Sequence, residues 1–571
     1  MASLVKKRIR GHTYYYARES QRIDGKPKVV WQRYLGRAQD IIDAMTGASA
    51  GAAAPQPQAA VLRDFAAVSA LYDLARRLRL VELIDRHVPK RGRGPSVGTY
   101  LLVAALNRCV APCSKAQIGA WFEGTVLQRL LPLEARQLRS QRFWENMDRV
   151  SGEARRAIER DLTAHLVREF DLDLRRVLFD ATNFFTFVDT FNARNTLAQR
   201  GKSKEGRATL RIVGLALLVS ADFHVPLLHR TYPGNQADAP TFASLTEELV
   251  ARYRQLCTGA EHVTLIFDKG NNSRKNLEAV AQGPYHFIGS LVPTQHPDLL
   301  AIPRARLRSL AAAGLPQVRS YRTRRKVFGC ERTVLVTYDE NLFVAQAQTL
   351  LREIAKRQGW LRELQQRLRR HREGRVRGGR PPTLEGTKKK VAGWLQARHM
   401  RELFRVTIRE EHGLPTLSYR FEHRAWERLQ RTLLGKTLLF TDNDDWTDAE
   451  IVRSYRSQHH VESAFRAMKD PLHISLRPQH HWTDQKSEVH VFYCVLALML
   501  CSLLRRELSR AGIDRSIAHI LEQLGQIREV GVLFAPTGRR RDPTLRMTLS
   551  AMTEEQQALY KALALDRYRA P

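Results

Sequence analysis

Val177-Leu-Phe-Asp-Ala-Thr-Asn183 and Leu265-Ile-Phe-Asp-Lys-Gly-Asn271 decide how this sequence is read. In each, a short apolar run of strand character delivers one aspartate, Asp180 or Asp268, into polar residues that read as a turn. Side chains at the carboxyl ends of neighbouring strands converge on one rim of a sheet, where α/β proteins keep their sites. A single aspartate after a strand is ordinarily a turn residue or a helix cap. Two matched ones point to a shared rim.

Further strand signals surround this pair. Ile212 to Val219, His224 to Arg230 and Tyr285 to Val292 are apolar runs, and a helical pattern from Ala239 to Leu256 separates two of them. The mixture predicts an α/β core, α+β overall. Upstream, Tyr14 to Gly36 alternates around Ile23-Asp-Gly-Lys26 and predicts a β-hairpin. A low-complexity Ala/Gly/Pro/Gln stretch follows it. From Ala66 to Arg168 the pattern is helical, with Leu71, Leu74, Leu78 and Val81 at helix spacing. Arg76, Arg77, Arg79, Lys90, Arg91 and Arg93 crowd this region. It reads as a helical DNA-end-binding module or, equally, as a solvated basic domain.

Downstream of Val292, strand-like pieces (Val334 to Tyr338, Leu403 to Ile408, Thr416 to Phe421) flank a charged helix from Phe343 to Arg372. The basic, Gly-rich stretch from His371 to Lys390 reads equally as a solvated loop or as a segment that contacts DNA. A last strand, Thr437 to Thr441, leads to a helix spanning Asp448 to Lys469. The resulting division is 1–45 hairpin segment, 46–62 flexible linker, 63–172 helical DNA-binding domain, 173–296 catalytic domain and 297–445 insertion. After these come 446–515, the second catalytic part, and 516–571, a helical and basic tail with little structure beyond Thr537.

The chain carries 93 Lys plus Arg against 58 Asp plus Glu, a net charge of +35 over 571 residues. Such an excess, spread along the chain, predicts a polyanionic partner. Nucleic acid fits better than a membrane, because the longest apolar run, Val491 to Leu504, is too short to span a bilayer and reads as a buried helix. The N-terminus shows no signal peptide, so an intracellular, cytoplasmic location is expected. The six cysteines lack the spacing of a zinc site or a disulfide framework, and Cys494 and Cys501 read as buried free thiols.

A third acid lies on the helix expected over Asp448 to Lys469. At about 100° per residue, Tyr455, Glu462 and Lys469 share one stripe, with His459 and Arg466 beside it, while Val461, Ala464 and Met468 face the opposite way. The plain alternative for Glu462 is an exposed ion pair with Arg466, which contributes about 0.3 to 0.5 kcal/mol. Three converging carboxylates would repel one another and force one to hold a proton. Divalent cations remove that conflict. Mg²⁺ favours carboxylate and phosphate oxygens, and two ions about 4 Å apart can activate a nucleophile and stabilise a leaving oxygen. Acids set in a basic chain point to phosphoryl transfer on nucleic acid. Asp173, Asp189 and Asp222 compete with Asp180 as the first acid, but none follows so apolar a strand. Asn235 and Asp238 read as turn residues ahead of a role in ordering the active-site rim, and His459, His460, His480, His481 and His490 lack metal-ligand spacing.

In this order the motifs resemble bacterial insertion-sequence transposases of the DDE class, the branch with a β-rich insertion in a ribonuclease-H-like catalytic domain. The resemblance rests on Leu178 to Asn183, Arg200-Gly-Lys-Ser-Lys204, Tyr232-Pro-Gly-Asn-Gln-Ala-Asp238, Phe267 to Asn271, and Tyr455 through Glu462 to Lys469 with Arg477-Pro478 after it. The opening hairpin, with Arg22 to Lys26 and Tyr34-Leu-Gly36, belongs to the same set.

The resemblance implies a mixed ribonuclease-H-like sheet flanked by helices. It also implies metal-dependent cleavage of transposon ends and strand transfer by a cut-and-paste route. Asp180 would bridge two Mg²⁺ ions, with Asp268 and Glu462 each completing one site and Mn²⁺ able to stand in. Tyr455, Lys469, Arg466, Lys202, Lys204 and Arg477 would contact DNA. The partners implied are terminal inverted repeats, target DNA and a second copy of the chain. Gln458 stands where the family pattern has arginine. The other readings compatible with these residues are a silent DNA-binding regulator derived from a transposase and a structure-specific nuclease.

Overall fold

The computed structural model describes residues 2–9, 12–23, 26–37, 57–90, 92, 94–207, 209–236, 248, 263–281, 285–376, 378, 380–477, 479–534 and 544–570. They fall into two compact units, Met1–Ser69 with Phe122–Pro132 and Leu521–Pro571, and Ala70–Trp121 with Leu133–Ile520. In the first unit, β1 (Ala2–Ile9), β2 (His12–Ile23) and β3 (Lys26–Arg37) form an antiparallel sheet. The hairpin expected at Ile23 is the β2–β3 pair, with Ile23 opposite Lys26. β4 (Pro57–Asp64) follows.

The second unit is built on a nine-stranded mixed sheet. Its strands are β5 (Arg176–Phe185), β6 (Ile212–Ser220), β7 (Pro226–Pro233), β8 (Val263–Ile266), β9 (Tyr285–Ser290), β10 (Arg308–Leu310), β11 (Leu315–Val327), β12 (Cys330–Asp339) and β15 (Lys436–Thr441). Their order is β10-β11-β12-β15-β9-β8-β5-β6-β7. β5, β8 and β9 run parallel to their neighbours in that group, and the other pairs are antiparallel. The expected helix from Ala239 to Leu256 falls almost wholly outside the described residues.

The span expected as an insertion contributes β10, β11, β12 and β15 to this same sheet, so the sheet runs on into it. A separate core does form there: helix Glu340–Arg372 packs on the hairpin of β13 (Phe404–Glu411) and β14 (Leu414–Phe421) through Leu361, Leu364, Leu368, Phe404 and Leu417. Part of the basic stretch is helical, Leu384–Trp394, because Thr383 caps it by accepting from the Gly386 amide.

Helix Asp484–Arg510 is long and apolar enough to cross a membrane by composition, yet nearly all of that apolar stretch is buried in the protein. It packs on helix Val97–Val110 in the unit's core, and Cys494 and Cys501 are buried free thiols. In the basic helical segment, Arg77 pairs with Glu169 and Glu507, and Arg79 with Glu82.

The linker expectation lies mostly outside the described residues, but from Pro57 it is replaced by β4. That strand pairs antiparallel with β16 (Arg528–Phe534), which also pairs with β17 (Thr544–Leu549). The tail beyond Thr537 is correspondingly more ordered than expected, and it closes with helix Glu554–Ala562, fixed by a Thr553–Gln556 capping box.

Candidate active site

Parallel pairing of β5 with β8 sets Val177 beside Leu265 and Leu178 beside Ile266. Two residues further along each strand stand Asp180 and Asp268. Because side chains repeat every two residues along extended chain, both carboxylates emerge on the same side of the sheet. One expectation is corrected here: Asp180 does not end its strand. β5 continues to Phe185, because Ala181 to Phe185 pair with Ala216 to Ile212 of β6. β8 does end before Asp268, whose backbone stays extended at the start of a short 3₁₀ turn.

The helix expected from Asp448 to Lys469 is two helices, Asp448–Arg456 and His459–Lys469. The Gln458 amide donates to the Tyr455 carbonyl and the Val461 amide to the Gln458 carbonyl, both at 3.1 Å, which tightens the junction into a 3₁₀-like turn. Ser457 Oγ bonds back to the Ser454 carbonyl at 2.6 Å, a local competitor for the helical backbone. Both junction residues keep right-handed helical angles. Val461, Ala464 and Met468 are buried as expected, and Glu462 and Arg466 are exposed. No ion pair joins Glu462 to Arg466 among the described residues.

Asp180 feels the charges of the other two acids. Burial pushes the Asp180 carboxyl up to about 6; the Ala181 amide and the Lys204 ammonium oppose the shift, while the charges of Asp268 and Glu462 reinforce it. Asp268 Oδ1 accepts from Ser290 Oγ at 3.2 Å and from Tyr455 Oη at 3.4 Å. Burial raises the Tyr455 hydroxyl well above its ordinary range, with the charge of Asp268 next in effect, so it stays a donor. Among the described residues, no three His, Cys, Asp or Glu side chains are close enough to cage a metal ion by themselves.

Basic groups flank the acids. Lys469 Nζ donates to Thr182 Oγ1 at 2.9 Å and lies 5.3 Å from the Phe184 ring centre; burial lowers its ammonium from the usual range. Lys204 Nζ donates to the Ala181 carbonyl at 2.6 Å. Asn183 clamps the same turn, donating to the Lys202 carbonyl and accepting from the Lys204 amide. Arg477 bonds the Lys469 carbonyl and lies 3.7 Å from Glu205.

The turn is seated by close backbone approach: a Cβ on Gly201 would stand 2.4 Å from the Gly234 carbonyl, and one on Gly234 1.9 Å from the Ile212 carbonyl. Thus Tyr455, Lys469, Lys202, Lys204 and Arg477 gather about Asp180 and Asp268, with Glu462 near enough for its charge to act on Asp180, whereas Arg466 makes no hydrogen bond or ion pair with this group among the described residues. Gln458 is buried with its Nε2 unsatisfied.

The competing aspartates are occupied elsewhere. Asp173 pairs with Arg175, Asp189 accepts from the Phe191 amide, and Asp222 pairs with Arg506. Asn235 is exposed at its turn, and Asp238 lies outside the described residues. His490 is tied to the Leu476 carbonyl and Tyr493, His481 is buried, and His480 stacks on Phe187; the side chains of His459 and His460 are not described. Ser290, Thr182 and Glu205 were not anticipated. Ser290 ends β9, the parallel neighbour of β8, so the rule that singled out Asp268 would have reached it once the strand order was known.

No known protein-family model matches the chain, and no curated protein matches it. Among solved structures it is similar to piggyBac transposase in a synaptic complex with hairpin DNA, with 7% identity and a TM-score of 0.35 over 80% of this chain and 78% of that one. It is also similar to Mos1 transposase in a paired-end complex with a left transposon end, with 15% identity and a TM-score of 0.16 over 37% of this chain and 63% of that one. Both neighbours are transposases, and both likenesses are too distant to carry a function across.

Proposed function

We propose that the chain is a DNA transposase of the DDE class that cuts transposon ends and joins them to target DNA by a cut-and-paste route. The supporting observation is a buried carboxyl, Asp180, pushed up to about 6 first by burial and further by the charges of Asp268 and Glu462, which come from two other elements, inside a strongly basic chain. Outside a reaction site, a buried carboxylate near two others is a burden on the fold.

The donor set fits divalent metal. A cation would offset the burial, and the charges of Asp268 and Glu462, that hold Asp180 toward its protonated form. Mg²⁺ commonly takes one or two carboxylates and completes its shell with water and phosphate oxygens, so a ready-made cage of three side chains is not required. In this reading Asp180, Asp268 and Glu462 hold two Mg²⁺ ions, with Mn²⁺ able to replace them. Such ions supply Lewis-acid activation of a water or 3′-hydroxyl.

The remaining residues position the DNA and the acids. Tyr455 and Ser290 orient Asp268. Lys469, Lys204, Lys202 and Arg477 meet phosphates, and Arg466 extends that basic surface. The enzyme would act as a homodimer on two terminal inverted repeats, in the bacterial cytoplasm at the nucleoid.

The test is joining of a labelled terminal-repeat duplex to a target plasmid in Mg²⁺. Joined product supports a transposase. Cleavage without joining supports a structure-specific nuclease, and specific binding without cleavage under any divalent metal supports a regulator.

A further inference from the structure

Two loops, one of them following β5, expose aromatic rings that a folded chain ordinarily hides. Phe191 is 94% exposed, Trp482 65% and Phe187 48%. Exposed rings grouped this way mark an interaction surface.

These rings sit on anchored backbone. Phe187 donates its amide to the Gln479 carbonyl at 2.9 Å, and Asn192 Nδ2 donates to the Trp482 carbonyl at 3.0 Å. Asn195 Nδ2 ties the same strap at the His481 carbonyl, at 2.9 Å. Arg211 Nη1 donates to the Asp189 and Asn192 carbonyls at 3.0 Å, bracketing Phe191, while Asp189 accepts from the Phe191 amide. The loops are therefore held before any partner arrives, with their rings facing outward.

The surface is cationic as well as aromatic. Phe187 stacks on His480 at 5.0 Å and 20°, and meets Phe185 edge-on at 5.6 Å. Beneath it, the guanidinium groups of Arg477 and Arg207 lie 4.8 and 5.8 Å from the ring centre of Phe185, which is itself buried. Glu205 offsets one of these charges. Asp189 and Asp484 face the same loops, but their carboxylates are already engaged by the Phe191 and Leu197 amides.

The patch is continuous with the acids through Arg477, Lys469 and Thr182. Along β5 and the residues after it, Asp180 and Phe187 are seven positions apart, at most about 23 Å.

We propose that Phe187, Phe191 and Trp482 form a stacking platform for unpaired nucleobases of a single-stranded DNA segment leaving the active site. Flat exposed rings joined through Arg477 to a basic active-site rim match a strand whose base faces are open and whose backbone is anionic, and the contact is indifferent to base identity. An intact duplex hides those faces. This inference rests on DNA being the substrate, and it adds the state in which part of that DNA is held.

The test measures binding of the full-length protein to a fluorescent oligothymidine and to a blunt duplex of equal length, without divalent metal. Oligothymidine should quench tryptophan emission, and Trp482→Phe should lose most of that quenching while retaining affinity. Phe191→Ala and Trp482→Ala should each weaken oligothymidine binding about tenfold and leave duplex binding within about twofold. Phe191→Leu, which keeps an apolar side chain but no ring, should behave like the alanine variant.

Unchanged oligothymidine affinity in the Phe191→Ala, Trp482→Ala double variant would overturn the platform. So would a change of sedimenting mass in that variant with DNA affinity intact, since the patch would then join two copies of the chain. Duplex binding with no single-strand binding by the wild type would overturn the platform alone; absence of all DNA binding would overturn the transposase reading with it.

Discussion

Asp180, within β5, and Asp268, just past the end of the parallel β8, each stand two residues beyond the Leu178 and Ile266 pair that closes the β5–β8 ladder. The relationship places two acids on one side of the sheet by backbone pairing alone. The helix pair at Asp448–Lys469 then adds Tyr455 and Glu462 from above the same rim.

The raised pKa of Asp180 has a sign that can be tested. A carboxyl whose folded pKa of about 6 exceeds its ordinary 3.8 binds its proton more tightly when folded. Its contribution favours folding below pH 3.8 and is lost as pH rises through 6, a change on the order of 2 to 3 kcal/mol. Asp180→Asn should therefore stabilise the metal-free protein at pH 8 and have little effect at pH 4. Chemical denaturation with EDTA at both pH values checks this. Equal effects at both would remove the electrostatic argument.

Tyr455→Phe deletes the hydroxyl that reaches Asp268 at 3.4 Å. A bond that long, shared with Ser290, should cost only about 0.5 to 1.5 kcal/mol of stability. Cleavage should fall by more than that figure explains, because Asp268 loses an orienting donor. Parallel denaturation and cleavage assays separate the two effects.

Lys469→Gln tests the phosphate contact. Affinity for duplex DNA should fall for every sequence tried, and the slope of log K against log salt should become shallower by roughly 0.9. A sequence-dependent loss with an unchanged slope would assign Lys469 to base contact or to packing against Phe184.

Gly234→Ala probes the seating of the basic turn. Its new Cβ would meet the Ile212 carbonyl at 1.9 Å, so backbone must shift. A loss of roughly 1 to 3 kcal/mol is expected, together with weaker DNA binding as Lys202 and Lys204 move. Denaturation and binding measured on the same variant check both parts.

The sequence makes some of this geometry legible and hides the rest. Apolar runs locate β5, β6, β7, β8, β9 and β15, because buried strands leave unbroken hydrophobic signals. They do not reveal that Ala181-Thr-Asn183 stays in the ladder: those residues read as a turn, and only pairing with β6 holds them extended. Nor does helix periodicity reveal the break at Ser457 and Gln458, which contain no proline or glycine; the break arises from side-chain bonding to backbone. Ser290 and Glu205 enter the site through strand order and turn conformation, which no local pattern encodes. Phe191 and Trp482 look like ordinary core residues until their exposure is known.

The most direct measurement is strand cleavage of a duplex carrying the DNA repeats that flank the gene, in Mg²⁺, by the wild type and by Asp180→Ala, Asp268→Ala and Glu462→Ala. The account predicts that the wild type cuts at the repeat end and that each variant loses on the order of a thousandfold in rate while still binding the duplex. Cleavage by the three variants at the wild-type rate would contradict it.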